Sequence, residues 1–147
     1  MALLDQTQRL ISRKFRVRGS SMEPAFAAGS TVVISPVSFI WRPPRRGEVI
    51  GLYSPEDKER FELKRIVGLP GEAVSWKGGL IWINGQPLLE SYAIATSAIP
   101  GEEPRRLELG PGEYFVVGDN RLYSRDSRLY GPVWLTDIVG QVLPSEN

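Results

Sequence analysis

Neither cysteine nor histidine occurs anywhere in the chain, and each absence removes a class of chemistry. Without cysteine there is no disulfide, no thiolate nucleophile and no zinc–thiolate site. Without histidine the usual general base and metal ligand are gone, and no Ser-His-Asp triad can be assembled. Acid–base work falls to Asp, Glu, Lys or Tyr. No run of about 20 apolar residues is present, so no segment spans a bilayer as a helix, and "MALLDQTQRLISRK" at the N-terminus lacks the apolar core of a secretory signal. Neither charge is in excess: 18 Lys and Arg stand against 17 Asp and Glu, which gives no long-range field to attract nucleic acid. Neither GxGxxG nor GxxxxGK[ST] occurs, so nucleotide binding of those kinds has no support. No cofactor is implied.

The 147 residues suffice for one hydrophobic core and not for two well-packed ones. Fifteen glycines and twelve prolines punctuate short apolar segments, a pattern of many strands rather than long helices. "KFRVR" alternates at period two, and "STVVIS", "EVIGLY", "FELKRIVGL", "AVSW", "LIWI", "EYFVV" and "DIVGQVL" read as further strands. Gly78-Gly79 and Asn84-Gly85 supply tight hairpin turns, which predicts a β-meander over residues 73 to 89. The expected fold is all-β and antiparallel, with residues 15–147 as one domain and a surface excursion at about 91–112.

Residues 1–14 form a separate N-terminal segment. Leu3, Leu4, Leu10 and Ile11 fall on one face of a short helix, which either packs on the domain or lies in a membrane interface. The run Arg9, Arg13, Lys14, Arg16 and Arg18, opposed only by Asp5, is either a solvated strip or one that faces anionic headgroups. "FIWRPPRRG", residues 39 to 47, poses the same choice: its Phe39, Ile40 and Trp41 tuck against the body or protrude toward a membrane surface.

Candidate chemistry narrows quickly. "GDNRLYSRDSRLYG" is acidic, but its carboxylates are not at calcium-loop spacing. Asp119 and Asp126 as an aspartic-protease pair sit too close to Arg121, Arg125 and Arg128, and ion pairing explains them better. A serine nucleophile served by lysine is the remaining arrangement. Lysine ordinarily titrates at about 10.4, so only a desolvated one serves as base near neutral pH. Lys14, Lys58 and Lys77 lie at a terminus or in turns. Lys64, mid-strand in "FELKRIVGLPGE" with Ile66 on its own face, is the base by elimination, if there is one. "RGSSMEPAF" offers the serine: Gly19 lets the backbone bend, Pro24 fixes its exit, and such a turn exposes a hydroxyl and a backbone N–H together.

Four segments in this order resemble the bacterial type I signal peptidases, serine–lysine endopeptidases that remove signal peptides from exported proteins. They are "VRGSSMEP", "RGEVIGLYSP", "LKRIVGLPGE" and "GDNRLYSRDSRLYGPV", and the likeness runs from about Phe15 to Gly140. The resemblance implies folded-over antiparallel sheets or a partial barrel with a long hairpin excursion. It implies Ser21 as nucleophile, Lys64 as its base and Ser124 as the hydroxyl that orients the lysine. Asp126 and Arg128 match charged residues supporting that corner, with Arg65 a further candidate, and Asp119 and Asn120 are read as structural. The Ser21 N–H matches the oxyanion donor. Some members add a hydroxyl two residues before the nucleophile, where this chain has Gly19, which leaves Ser20 as an open candidate. Val17, Met22, Phe26 and Leu63 match positions near pockets for small side chains, the Ala-x-Ala pattern.

This chain departs from the family at Ala25, where threonine is usual, at Ser20, and in having no N-terminal transmembrane helix. The last point leaves two expectations: an anchor removed from the chain, or a soluble or peripheral member. Expected partners are a preprotein in extended conformation and a membrane surface on the extracytoplasmic side. A dedicated maturation or self-cleaving serine–lysine protease, and an inactive β-domain binding peptides or membrane, are the alternative functions.

Overall fold

Every segment read as a strand by its alternation is one. In the computed structural model, which describes residues 11–93 and 103–143, the large sheet contains β1 (Arg13–Arg16), β2 (Thr31–Ser35), β3 (Val49–Tyr53), β4 (Phe61–Gly68), β9 (Glu113–Val117), β10 (Val133–Trp134) and β11 (Ile138–Leu143). Its spatial order is β1-β2-β11-β3-β4-β9-β10, and neighbouring strands are antiparallel. The smaller sheet holds β5 (Ala73–Lys77), β6 (Leu80–Ile83), β7 (Gln86–Pro87) and β8 (Arg105–Glu108), in the order β7-β6-β5-β8. A single helical turn, α1 (Ser127–Tyr130), packs beside β9.

The turn chemistry holds in detail. Lys77 pairs with Leu80 across Gly78-Gly79, and Ile83 with Gln86 across Asn84-Gly85. Asn84 and Gly85 have φ of 49° and 80°, the positive pair that a two-residue turn of mirror-image type requires. Where the sequence suggested only a surface excursion, residues 105–108 form β8 and pair with β5 from Ala73 to Trp76. Leu107 alone of that strand's residues is half-buried, too weak an alternation to read locally. Residues 94–102 of the excursion lie outside the described residues, as do Leu3, Leu4, Asp5, Arg9 and Leu10 of the N-terminal segment.

The large sheet curls, and two glycines permit close packing within it beside a register shift in β11. Gly140 of β11 and Gly51 of β3 are direct cross-strand partners. A side chain at Gly51 would run into Phe61 and Ile34, and one at Gly140 into the Ser35 backbone. Inside the curl Val17, Met22, Val32, Ile34, Val49, Leu63 and Val142 make one apolar cluster. The opposite face carries a second, built on Ile50, Leu52, Ile66, Tyr114, Val116 and Val133. Val67, Phe115 and Val117 at the far end of β4 and β9 are covered by Val74, Trp76 and Ile81 of the small sheet. β4 is thus buried on both faces. No helix among the described residues is long and apolar enough to cross a membrane.

Candidate active site

Ser21 begins the turn that joins β1 to β2. Gly19 takes a φ of 73°, which a residue with a side chain rarely adopts. Glu23 N–H then bonds the Ser20 carbonyl at 3.1 Å and Phe26 N–H the Met22 carbonyl at 2.9 Å. Met22, 1% exposed, pins the turn from beneath, and Pro24 leaves it through a cis peptide bond. Asn120 clamps it from the other side: its backbone N–H bonds the Ser21 carbonyl at 2.9 Å and its side-chain amide the Ser20 carbonyl at 3.1 Å. With both carbonyls held, the Ser21 side chain has little freedom except at its own rotamer.

Lys64 is in the middle of β4, opposite Ile50 of β3, and is 4% exposed. Its Nζ donates to Ser21 Oγ at 3.1 Å and to Ser124 Oγ at 3.3 Å. Burial pushes its pKa below the ordinary lysine value, against upward pulls from Glu62 and Asp126. Desolvation disfavours the charged form and, among the described residues, no carboxylate hydrogen-bonds or ion-pairs with the amine, so the neutral form is favoured far more than on an exposed lysine. With the amine neutral the contact reverses and the Ser21 hydroxyl donates to Nζ.

Ser124 is fixed in turn. Its hydroxyl donates to Asp126 Oδ2 at 2.6 Å and accepts from Gly118 N–H at 3.1 Å. Asp126 also accepts from the Gly118 N–H at 3.0 Å. Arg128 donates to both its oxygens, Nε to Oδ1 at 2.9 Å and Nη2 to Oδ2 at 3.0 Å. Burial alone would raise the Asp126 pKa; Arg128, Ser124 and Gly118 outweigh it and hold the carboxyl below its ordinary value. A side chain at Gly118 would collide with Ser124 and meet the Ser21 carbonyl at 2.7 Å, so the close approach of these two serines needs glycine there. Arg65 points away from this corner. It forms a bidentate pair with fully buried Asp119, at 2.9 and 2.7 Å, and stacks on Tyr92 at 3.9 Å.

A groove of about 610 Å³ runs past Ser21 and Lys64, between Phe15–Gly19 on one side and Glu59–Lys64 on the other. Val17, Met22 and Leu63 line it, together with Val32, Phe15 and Phe61, whose rings stack at 4.5 Å. Phe26 packs on the same apolar cluster but does not line the groove. β9 pairs with β4 only from Arg65 onward, so Phe61–Lys64 has no strand partner on that side among the described residues.

A family model described as signal peptidase, peptidase S26, matches residues 5–144. The chain belongs to the signal peptidase family. Signal peptidase I V of Bacillus subtilis is 31% identical over 99% of this chain and 92% of its own length. Signal peptidase I of Bacillus caldolyticus is 32% identical over 86% of this chain and 74% of its own. A crystal structure of a signal peptidase I from Enterococcus faecalis superposes with a TM-score of 0.57 at 32% identity, covering 70% of this chain and 98% of that one.

Within this signal peptidase, the serine and lysine motifs and the Ser124–Asp126–Arg128 corner converge on one point. Gly19 and Ser20 flank it; among the described residues Ser20 is tied in by its carbonyl. Three contributors had weak sequence signals. Asn120 and Gly118 lie four and six residues before Ser124 and almost a hundred residues from Ser21. Glu62 is a lone acid in a strand, ordinarily an exposed edge charge.

Proposed function

We propose that the chain cleaves preproteins after small residues at an Ala-x-Ala site, with Ser21 as nucleophile, Lys64 as general base and Ser124 as the residue that orients the lysine. The observation that carries this reading is the 3.1 Å contact between Ser21 Oγ and a buried amine. The Ser21 proton passes to Nζ as Oγ bonds the peptide carbonyl; the ammonium then gives the proton to the departing amine, and water hydrolyses the acyl-enzyme. The Ser21 N–H is the oxyanion donor, with Ser20 the nearest candidate for a second. An extended substrate pairs with the open edge of β4 over Phe61–Lys64, and Val17, Met22 and Leu63 favour small apolar side chains. Asp126 and Arg128 hold Ser124, and Arg65 with Asp119 braces the neighbouring turn.

The enzyme works at a membrane surface on the extracytoplasmic side. Ile40 and Trp41 support this, being 65% and 84% exposed; Phe39 beside them packs inward on the second apolar cluster. The test of the chemistry is cleavage of a preprotein bearing an Ala-x-Ala site. Ser21→Ala and Lys64→Ala should each lose activity by on the order of 10⁴-fold or more with melting curves retained. Cleavage near the wild-type rate in either variant excludes the mechanism.

A further inference from the structure

Beside Lys64, on the same strand and along the same groove wall, stands a carboxylate that the mechanism above does not use. Glu62 is two residues before Lys64 in β4 and therefore on the same face, opposite Leu52 as Lys64 is opposite Ile50. That face is the apolar cluster of Ile50, Leu52, Ile66 and Val116, on which Tyr130 of α1 also packs. The Glu62 side chain is 11% exposed. Its Oε1 accepts from Arg60 Nε at 2.9 Å, while Oε2 is buried with no hydrogen-bond partner among the described residues. Tyr130 Oη is buried and unpartnered too. Burial, followed by the charges of Glu62, Asp126 and Glu56, raises the Tyr130 pKa strongly, so this hydroxyl lies within electrostatic reach of the Glu62 carboxylate.

The charges facing Lys64 are few. Asp126 is matched by Arg128, which grips both its oxygens. Arg60 has a side chain 46% exposed and is screened by water. β3 contributes only Ile50 opposite the lysine, and Ser21 and Ser124 contribute neutral hydroxyls. Glu62 is ion-paired to Arg60 through Oε1 alone and is within electrostatic reach of Arg125 as well, and it leads the upward pulls on Lys64. A half-paired buried carboxylate costs stability, and Lys64 is the group nearby that becomes cationic during the reaction.

Resting on the serine–lysine reading, we propose that Glu62 is a positioning residue whose buried carboxylate, on the Lys64 face of β4, stabilises the ammonium formed when Lys64 takes the Ser21 proton. The experiment measures preprotein cleavage against pH for the full chain, for Glu62→Gln and Glu62→Leu, and for Glu62→Asp, which keeps the charge. Each neutral variant should lower plateau kcat/KM about tenfold and move the acid limb to lower pH, and Glu62→Asp should restore most of both. The second readout needs no activity. In a Ser21→Ala background the chain has only four lysines, so Lys64 is followed by NMR of its labelled ε-carbon, and its titration should move to lower pH on Glu62→Gln.

Glu62→Leu suits the apolar face and serves if the Gln variant melts too low. An unmoved pH profile together with an unmoved Lys64 titration overturns the proposal. The two readings fail separately: cleavage by Ser21→Ala alone would sink the serine–lysine reading, whereas an inactive Ser21→Ala with a wild-type profile for both neutral Glu62 variants sinks only the role of Glu62.

Discussion

A lysine 4% exposed is an unfavourable residue for a fold and a useful one for a proton transfer. Because burial lowers the Lys64 pKa in the folded state, the unfolded chain binds more protons between the folded and unfolded values. Stability therefore rises with pH across that window, and the penalty is fully present below it. Lys64→Met should melt a few degrees above the wild type at neutral pH, and the gap should close as pH approaches about 10.4. A gap that is constant from neutral to alkaline pH contradicts this account. Asp126 has the opposite dependence, its carboxyl being held low: the stability it contributes is lost as pH falls through its folded value. Asp126→Asn leaves Arg128 buried without its charge partner, and should cost about 3–5 kcal/mol in chemical denaturation while also depressing cleavage. A loss under about 1 kcal/mol would mean that water replaces the carboxylate at no cost. At this scale the sequence was informative because it had so few options. With histidine and cysteine missing, and the other three lysines read as turn or terminal residues, Lys64 was legible by elimination, although Lys14 and Lys77 prove to be strand residues too. Glu62 was not, since nothing local separates a buried strand glutamate from an exposed one.

Elements fix what residues can reach. β4 presents Lys64 to the serine turn and Leu63 to the apolar cluster of the curl, both along the groove, and its far end is sealed between β9 and the small sheet. The short connection after β9 brings Gly118, Asn120 and Ser124 onto the Ser21 turn within seven positions of sequence. Its tolerance is small. Gly118→Ala should leave the fold intact but displace Ser124 or Ser21, with cleavage falling about 100-fold, as an ångström-scale misplacement does. Wild-type kcat/KM in that variant would show that the two serines need no such closeness. Strand positions and the two hairpin turns were read directly, because alternation and turn residues are local signals. β8 was missed because only Leu107 in it is even half-buried; its existence depends on the open edge of β5, which lies some thirty residues earlier.

Across the whole molecule, curling brings the β1 edge round to β4, so that Phe15 stacks on Phe61 and a groove forms between strands that are separated by β2, β11 and β3 in the sheet. The 39–47 loop leaves the same body with Trp41 exposed, while Arg42 and Arg46 are occupied by Glu48 and Glu72. If this loop carries membrane contact, the contact is apolar more than electrostatic. Trp41→Ser with Ile40→Ser should reduce co-sedimentation with vesicles several-fold, and the residual binding should change little with salt. Unchanged sedimentation would remove the loop from the interface. The sequence by itself determined most of the strand segments and the hairpin turns, because these follow from residue type and near-neighbour spacing, while the proposed pairing of Ser21 with Lys64 came from the family resemblance joined to the scarcity of other bases. Only the tertiary structure decided that Lys64 is buried, that Asn120 and Gly118 hold the Ser21 turn, and that Glu62 is mostly buried on the same strand face as the amine. Burial and charge compensation depend on which distant strands close over a side chain, and a strand's own sequence does not specify them.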